Sequence, residues 1–110
     1  MAEAVTRPAY LRGGLADRWD ALAPELTAIG ALDPLNAETL AKYLLAENEY
    51  LRVSELVQRS IGDGDADKAG KWIAAQDRLT RQVLALADAL GMTPESRRRK
   101  GLKATRKAKA

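Results

Sequence analysis

A chain of 110 residues, with 18 Lys and Arg against 15 Asp and Glu, builds one domain at most, and so short a helical body leaves much of its surface unburied unless it associates. His and Cys are both absent, which excludes the usual zinc sites, a thiol nucleophile, a disulfide framework and an imidazole general base. No redox-active group remains to place the protein outside a cytoplasm. Met1 to Tyr10 carries Glu3 and no signal-peptide core, and no later run reaches bilayer length, so a cytoplasmic protein without membrane contact is expected.

The net charge of +3 conceals a division. Residues 1–96 hold ten basic against fifteen acidic side chains, a net of −5. Residues 97–110 hold Arg97, Arg98, Arg99, Lys100, Lys103, Arg106, Lys107 and Lys109 with no acid, a net of +8. An acidic body with a basic tail points to a polyanionic partner, set against the commoner role of a charge run as a solvated tail or a docking strand for an acidic protein.

In chain order, residues 1–14 show no apolar period and close on Gly13-Gly14, which reads as a flexible N-terminal arm. Leu15, Trp19, Leu22, Leu26 and Ile29 then recur at threes and fours, one face of an amphipathic helix ended by Gly30. Pro24 inside that helix removes a hydrogen bond and crowds the preceding turn, so a kink or break near Leu22 is expected. Asp33-Pro34 reads as the cap and first-turn Pro of a second helix running to about Ile61.

The main stripe of that helix is Leu40, Tyr43, Leu44, Tyr50, Leu51, Val57 and Ile61, interrupted by Glu47 and Ser54. A second apolar line, Leu45, Val53 and Leu56, lies off it and is the expected oligomerisation contact, with burial inside the monomer under the first helix as the equal alternative. Gly62 to Asp65 makes a turn, and a third helix from about Asp67 to Leu90 carries Trp72, Leu79, Val83, Leu86 and Leu90 with Gln76 in the polar slot. Gly91 supplies a left-handed cap, and Thr93-Pro94-Glu95 opens a short fourth helix. The expected fold is all-α: a long antiparallel hairpin, a kinked N-terminal helix and a short C-terminal helix with the basic tail. The oligomerisation domain spans 15–96 and the tail 97–110.

Asp63, Asp65 and Asp67 imitate the start of a calcium loop, but the sixth position is Lys68 rather than Gly and the twelfth is Ala74 rather than Glu, so they read as turn and helix-start residues and no metal is expected. Glu47 on an apolar stripe calls for a partner such as Arg78 or Arg81, or a subunit contact. No phosphate-cradling G-x-x-x-x-G-K-[ST] loop is present, so neither ATP hydrolysis nor any cofactor or catalytic residue is expected. The first two helices around Gly30-Ala31-Leu32 resemble a helix-turn-helix, yet Asn36, Glu38, Thr39 and Lys42 form a poor phosphate-binding set. The tail is the better candidate for duplex DNA, with Arg7, Arg12 and Arg18 as auxiliary cations. Having no aromatic residue, it offers bases nothing to stack on.

The segment Leu90-Gly91-Met92-Thr93-Pro94-Glu95-Ser96-Arg97 resembles the closing signature L-G-[LM]-[TS]-P-x-[SA]-R of the P27 family of phage terminase small subunits. Trp19, Leu22-Ala23-Pro24-Glu25-Leu26, Gly30, Leu32 and Asp33 are similar to that family's W/P-E-L opening, in order and at near-family spacing. The resemblance covers about residues 8–100. It implies a ring-forming homo-oligomer that engages DNA and brings it to a large terminase subunit holding the ATPase and nuclease. Many relatives carry a longer insertion between the two long helices, which here has shrunk to Gly62–Asp67, and the region before Pro8 is short. Such a trimmed chain is similar to a gene-transfer-agent relative with little sequence preference. The alternative from another class is a helical assembly adaptor whose basic tail binds an acidic protein.

Overall fold

A computed structural model describes residues 5–101. Four helices follow one another: α1 Gly14–Ala28, α2 Ala37–Gly62, α3 Ala66–Ala89 and α4 Pro94–Lys100. The two long ones, 26 and 24 residues, pack together as the expected hairpin, each about 35–40 Å long at 1.5 Å per residue. The molecule is elongated accordingly, 55 × 31 × 26 Å.

The helix ends follow from local chemistry. α1, α2 and α3 each close in the same way: one cap residue (Ile29, Asp63, Leu90) is followed by a glycine at φ 86, 73 and 67° (Gly30, Gly64, Gly91), a left-handed turn that a Cβ would oppose. Its N–H and that of its successor return to carbonyls of the last turn, as in Gly91 N–H to Asp88 and Met92 N–H to Ala87 at 3.1 and 3.0 Å. Asp65 caps α3 by accepting from the Lys68 N–H at 3.0 Å.

The core is asymmetric along the hairpin. At the end formed by the start of α2 and the end of α3, α1 lays Trp19, Ala23 and Leu26 onto Leu40, Ala41 and Leu44, and Leu90 closes the cluster at 0% exposure. Toward the Gly62–Asp65 turn, α2 and α3 have only each other. The seam there consists of Val53, Val57, Ser60 and Ala69. Its polar slots pair, since Gln76 donates from Nε2 to Ser54 Oγ at 2.9 Å.

Several expectations are corrected. α1 runs through Pro24 as one helix rather than two rods. The carbonyl that Pro24 leaves without an N–H belongs to Asp20, which is exposed and open to water. α2 begins at Ala37, not at Asp33-Pro34. The Asp33 carboxylate instead accepts from the N–H groups of Leu35 and Asn36 at 2.9 and 3.1 Å, folding a separate turn that Asn36 locks by accepting from the Asp33 N–H and donating to the Ala31 carbonyl, both at 2.8 Å. The arm boundary at residue 14 excludes Leu11 from the body, whereas Leu11 lies in the core at 1% exposure with Val5 packed nearby.

The line Leu45, Val53 and Leu56 divides. Val53 is buried at 3%, and the helix beside it is α3, not α1; Leu56 is half-buried and Leu45 is 40% exposed. The cause lies in the spacing: Tyr43, Ala46, Tyr50, Val53, Val57 and Ser60 recur at alternating threes and fours as a buried or half-buried line, distinct from the Leu40, Ala41 and Leu44 residues that α1 covers.

Leu40 is fully enclosed in the part of the core that joins α1 to the hairpin. Leu40→Ala is expected to cost about 2–5 kcal/mol of unfolding free energy, read as a lower midpoint in urea followed by circular dichroism.

Candidate nucleic-acid interface

The basic run begins as ordered structure. Thr93 and Ser96 form a reciprocal cap, with the Ser96 N–H donating to Thr93 Oγ1 at 3.1 Å and the Thr93 N–H donating to Ser96 Oγ at 3.2 Å. Pro94 takes the first turn, where its missing N–H costs nothing, and Ser96 is wholly buried. This cap sets the direction of α4, whose last turn is Arg97, Arg98, Arg99 and Lys100, closed by Gly101 at φ 67°. Cations at a helix C-terminus meet the negative end of its dipole, which offsets part of their mutual repulsion.

Arg99 is held by the chain itself, its guanidinium 2.6 Å from the Asp88 carboxylate at the end of α3. Arg97 is half-buried, and Arg98 and Lys100 are exposed. Lys103, Arg106, Lys107 and Lys109 lie outside the described residues. α4 therefore presents four of the eight expected cations together, one of them already paired.

The auxiliary cations are distributed differently. Arg7 pairs with Asp20 at 3.4 Å, and Arg18 donates to Glu47 at 2.9 Å. Glu47 thus takes its partner from α1, not from Arg78 or Arg81 of α3, because its position on α2 faces the side that α1 covers. The Tyr43 hydroxyl donates to the other Glu47 oxygen at 2.9 Å. Burial, followed by the Glu47 hydrogen bond, pushes the Tyr43 phenol above its ordinary value of 10. Arg12, Arg18, Glu47 and Asn48 rim an open groove of about 400 Å³ floored by Leu15, Leu44 and Leu51.

A second groove of about 400 Å³ lies along the hairpin, where Val53, Trp72, Ala75 and Leu79 are flanked by Glu49, Arg78 and Gln82. The sequence reading missed both this groove and the Asp88 latch on Arg99. A latch between residues eleven apart on two helices has no periodic signature, while the groove was foreshadowed by the apolar line flanking it. Among the described residues no three Asp or Glu side chains gather as a metal site. Asp65 is occupied in capping α3, and Asp63 closes α2.

The fold and site define an all-helical hairpin protein that carries a basic run on an ordered terminal helix. Among the described residues no helix is long and apolar enough to cross a membrane. The family model described as phage terminase, small subunit, matches residues 16–107, and the chain belongs to that family. No curated protein and no solved structure matches it.

Raised in the folded chain, the Tyr43 phenol stays protonated where the unfolded chain has begun to ionise. Its contribution to stability is complete below about pH 10 and is lost as pH rises through the folded value. The difference in ultraviolet titration between the parent and Tyr43→Phe should place this phenol above 10, and the variant should lose stability less steeply over that alkaline range.

Proposed function

We propose that the chain is the small terminase subunit of a phage or phage-like particle: a homo-oligomeric ring, working in the host cytoplasm, that engages duplex DNA and presents it to the large subunit's ATPase and nuclease. The observation that carries this reading is the α4 run Arg97 to Lys100, projecting from an acidic body and continuing in sequence to Lys103, Arg106, Lys107 and Lys109. Membership of the small-subunit family supports it, as does the resemblance of the Leu90–Arg97 signature to the P27 group. No catalytic role is assigned to this chain.

Binding is electrostatic. Lys and Arg displace condensed counterions from phosphates, and with all eight cations engaged the log-log salt slope approaches roughly −7. The short connection between α2 and α3 supports contact with little sequence preference, of the gene-transfer-agent kind, because it houses no additional element to enter a groove. Self-association uses the exposed Leu45 side of α2 with Leu56, beside the groove floored by Val53.

Light scattering gives the mass of the parent chain and of a variant with all eight cations replaced by Gln. Duplex binding of both is measured at two salt concentrations. Truncation is avoided because Ser96 is buried in the α4 cap. A discrete oligomer in both, with salt-sensitive binding only in the parent, is the expected result. A monomer that ignores DNA overturns the proposal, and equal binding by the variant moves the DNA contact elsewhere.

A further inference from the structure

Closing a ring requires each subunit to offer two different surfaces that fit one another, since a single self-complementary patch ends in a dimer. The hairpin has two broad sides. On one, Leu45, Glu49, Arg52 and Leu56 follow one another at intervals of four, three and four residues, a single flank of α2 beside the groove of Val53, Trp72 and Leu79. On the other, Ile73, Asp77, Thr80 and Leu84 repeat the same spacing along α3, beside the Ser54–Gln76 bond. Ile73 and Leu84 are 43% and 61% exposed.

The Ser54–Gln76 bond sets the level of one helix against the other. Counting out from it, Leu45 lies nine residues back along α2 and Leu84 eight residues forward along α3. Leu56 lies two forward along α2, and Ile73 three back along α3. Each pair is therefore level to within about one helical rise of 1.5 Å, on opposite sides of the same hairpin. Asp77 is likewise level with Arg52 and Arg78, which lie on the groove side. Arg52 is bonded to Glu49, while Arg78 has no ion pair among the described residues. Copies in a closed ring do not rise past one another, so for hairpins that stand along the ring axis, surfaces that meet must match at the same height. Here apolar falls on apolar twice and acid on base once.

We propose, building on the ring reading above, that the Ile73–Leu84 side of one copy packs against the groove side of a second copy. Leu84 then lies against Leu45, Ile73 against Leu56, and Asp77 faces Arg78. The contact is heterologous, with hairpins side by side pointing the same way. It covers Leu45, Ile73 and Leu84, three of the large apolar side chains that the monomer leaves exposed, and it occupies the groove with this chain itself rather than with the large subunit.

The test uses the full chain, whose mass is 11.9 kDa and which has no Cys of its own. Ile73→Glu with Leu84→Glu on one side, or Leu45→Glu with Leu56→Glu on the other, should each reduce the parent oligomer to a monomer with its helical circular dichroism intact. Mixed together, the two variants still hold one intact surface each, and the mass should double and go no further. Independently of these charged variants, a chain carrying both Leu45→Cys and Leu84→Cys should oxidise to a ladder of covalent multimers, while either single variant stays a monomer on a denaturing gel. Covalent dimers from the single variants would show a two-fold contact and overturn the proposal. So would a parent-sized oligomer from the Ile73 and Leu84 variant, with the ring reading left standing. A monomeric parent would instead remove the ring reading itself.

Discussion

The seam between α2 and α3 is the contact on which everything else in this chain depends. Two helices in isolation share one line of contact, and each keeps most of its circumference in water. The seam therefore succeeds by close approach rather than by bulk. Val53, Val57, Ser60 and Ala69 are its buried residues toward the turn, all small or β-branched, and they let the two helices approach closely. Ser54 and Gln76, the polar interruptions of the two stripes, bond to each other and so avoid an unsatisfied group in the seam while fixing its register.

α1 gives the seam a third partner at one end only. Large apolar residues are concentrated there: Trp19, Leu26, Leu40, Leu44 and Leu90 are all buried. The Arg18–Glu47–Tyr43 chain of hydrogen bonds ties α1 to α2 at the edge of this cluster. Arg18 and Glu47 remain partly exposed, at 49% and 29% of their side-chain surface, so solvent screens the pair and its role is chiefly to fix the angle of α1. Beyond the start of α1 the same stripe of α2 continues into open solvent at Leu51, 57% exposed.

The periodic features were legible in the sequence: the three amphipathic helices, the glycines Gly30 and Gly91 that close the first and third, the Gly62 to Asp65 turn, the Thr93-Pro94 start of α4 and the hairpin that these impose. What escaped were relations between helices. Asp33-Pro34 has the composition of a helix start, but the Asn36 side chain accepts from the Asp33 N–H and donates to the Ala31 carbonyl, which turns the segment into a closed loop of its own. Glu47 was legible as a charge needing a partner, expected as Arg78 or Arg81 or a subunit contact, and only the docking of α1 identifies Arg18. Val53 sits off the expected α2 stripe because that stripe merges two faces, Leu40 and Leu44 under α1 and Val57 in the seam with α3, and Val53 belongs to the second alone. For the site, the eight cations were legible as a run. That four of them lie on a capped helix, with Arg99 paired to Asp88, required the structure.

Charge segregation has a mechanical consequence. The hairpin carries interspersed acids and bases along its flanks, whereas Arg97 to Lys100 stand on a helix whose one side-chain bond to the preceding helices, among the described residues, is Arg99 to Asp88. That bond is exposed and therefore weak, so a phosphate can compete for Arg99 at little cost. The buried Ser96 anchor is untouched by such a competition, because its hydrogen bonds are to Thr93. A polyanion can thus recruit the whole basic run without disturbing the seam. Engagement of charge at α4 and packing of the hairpin are separate physical events, joined through the Gly91–Thr93 turn.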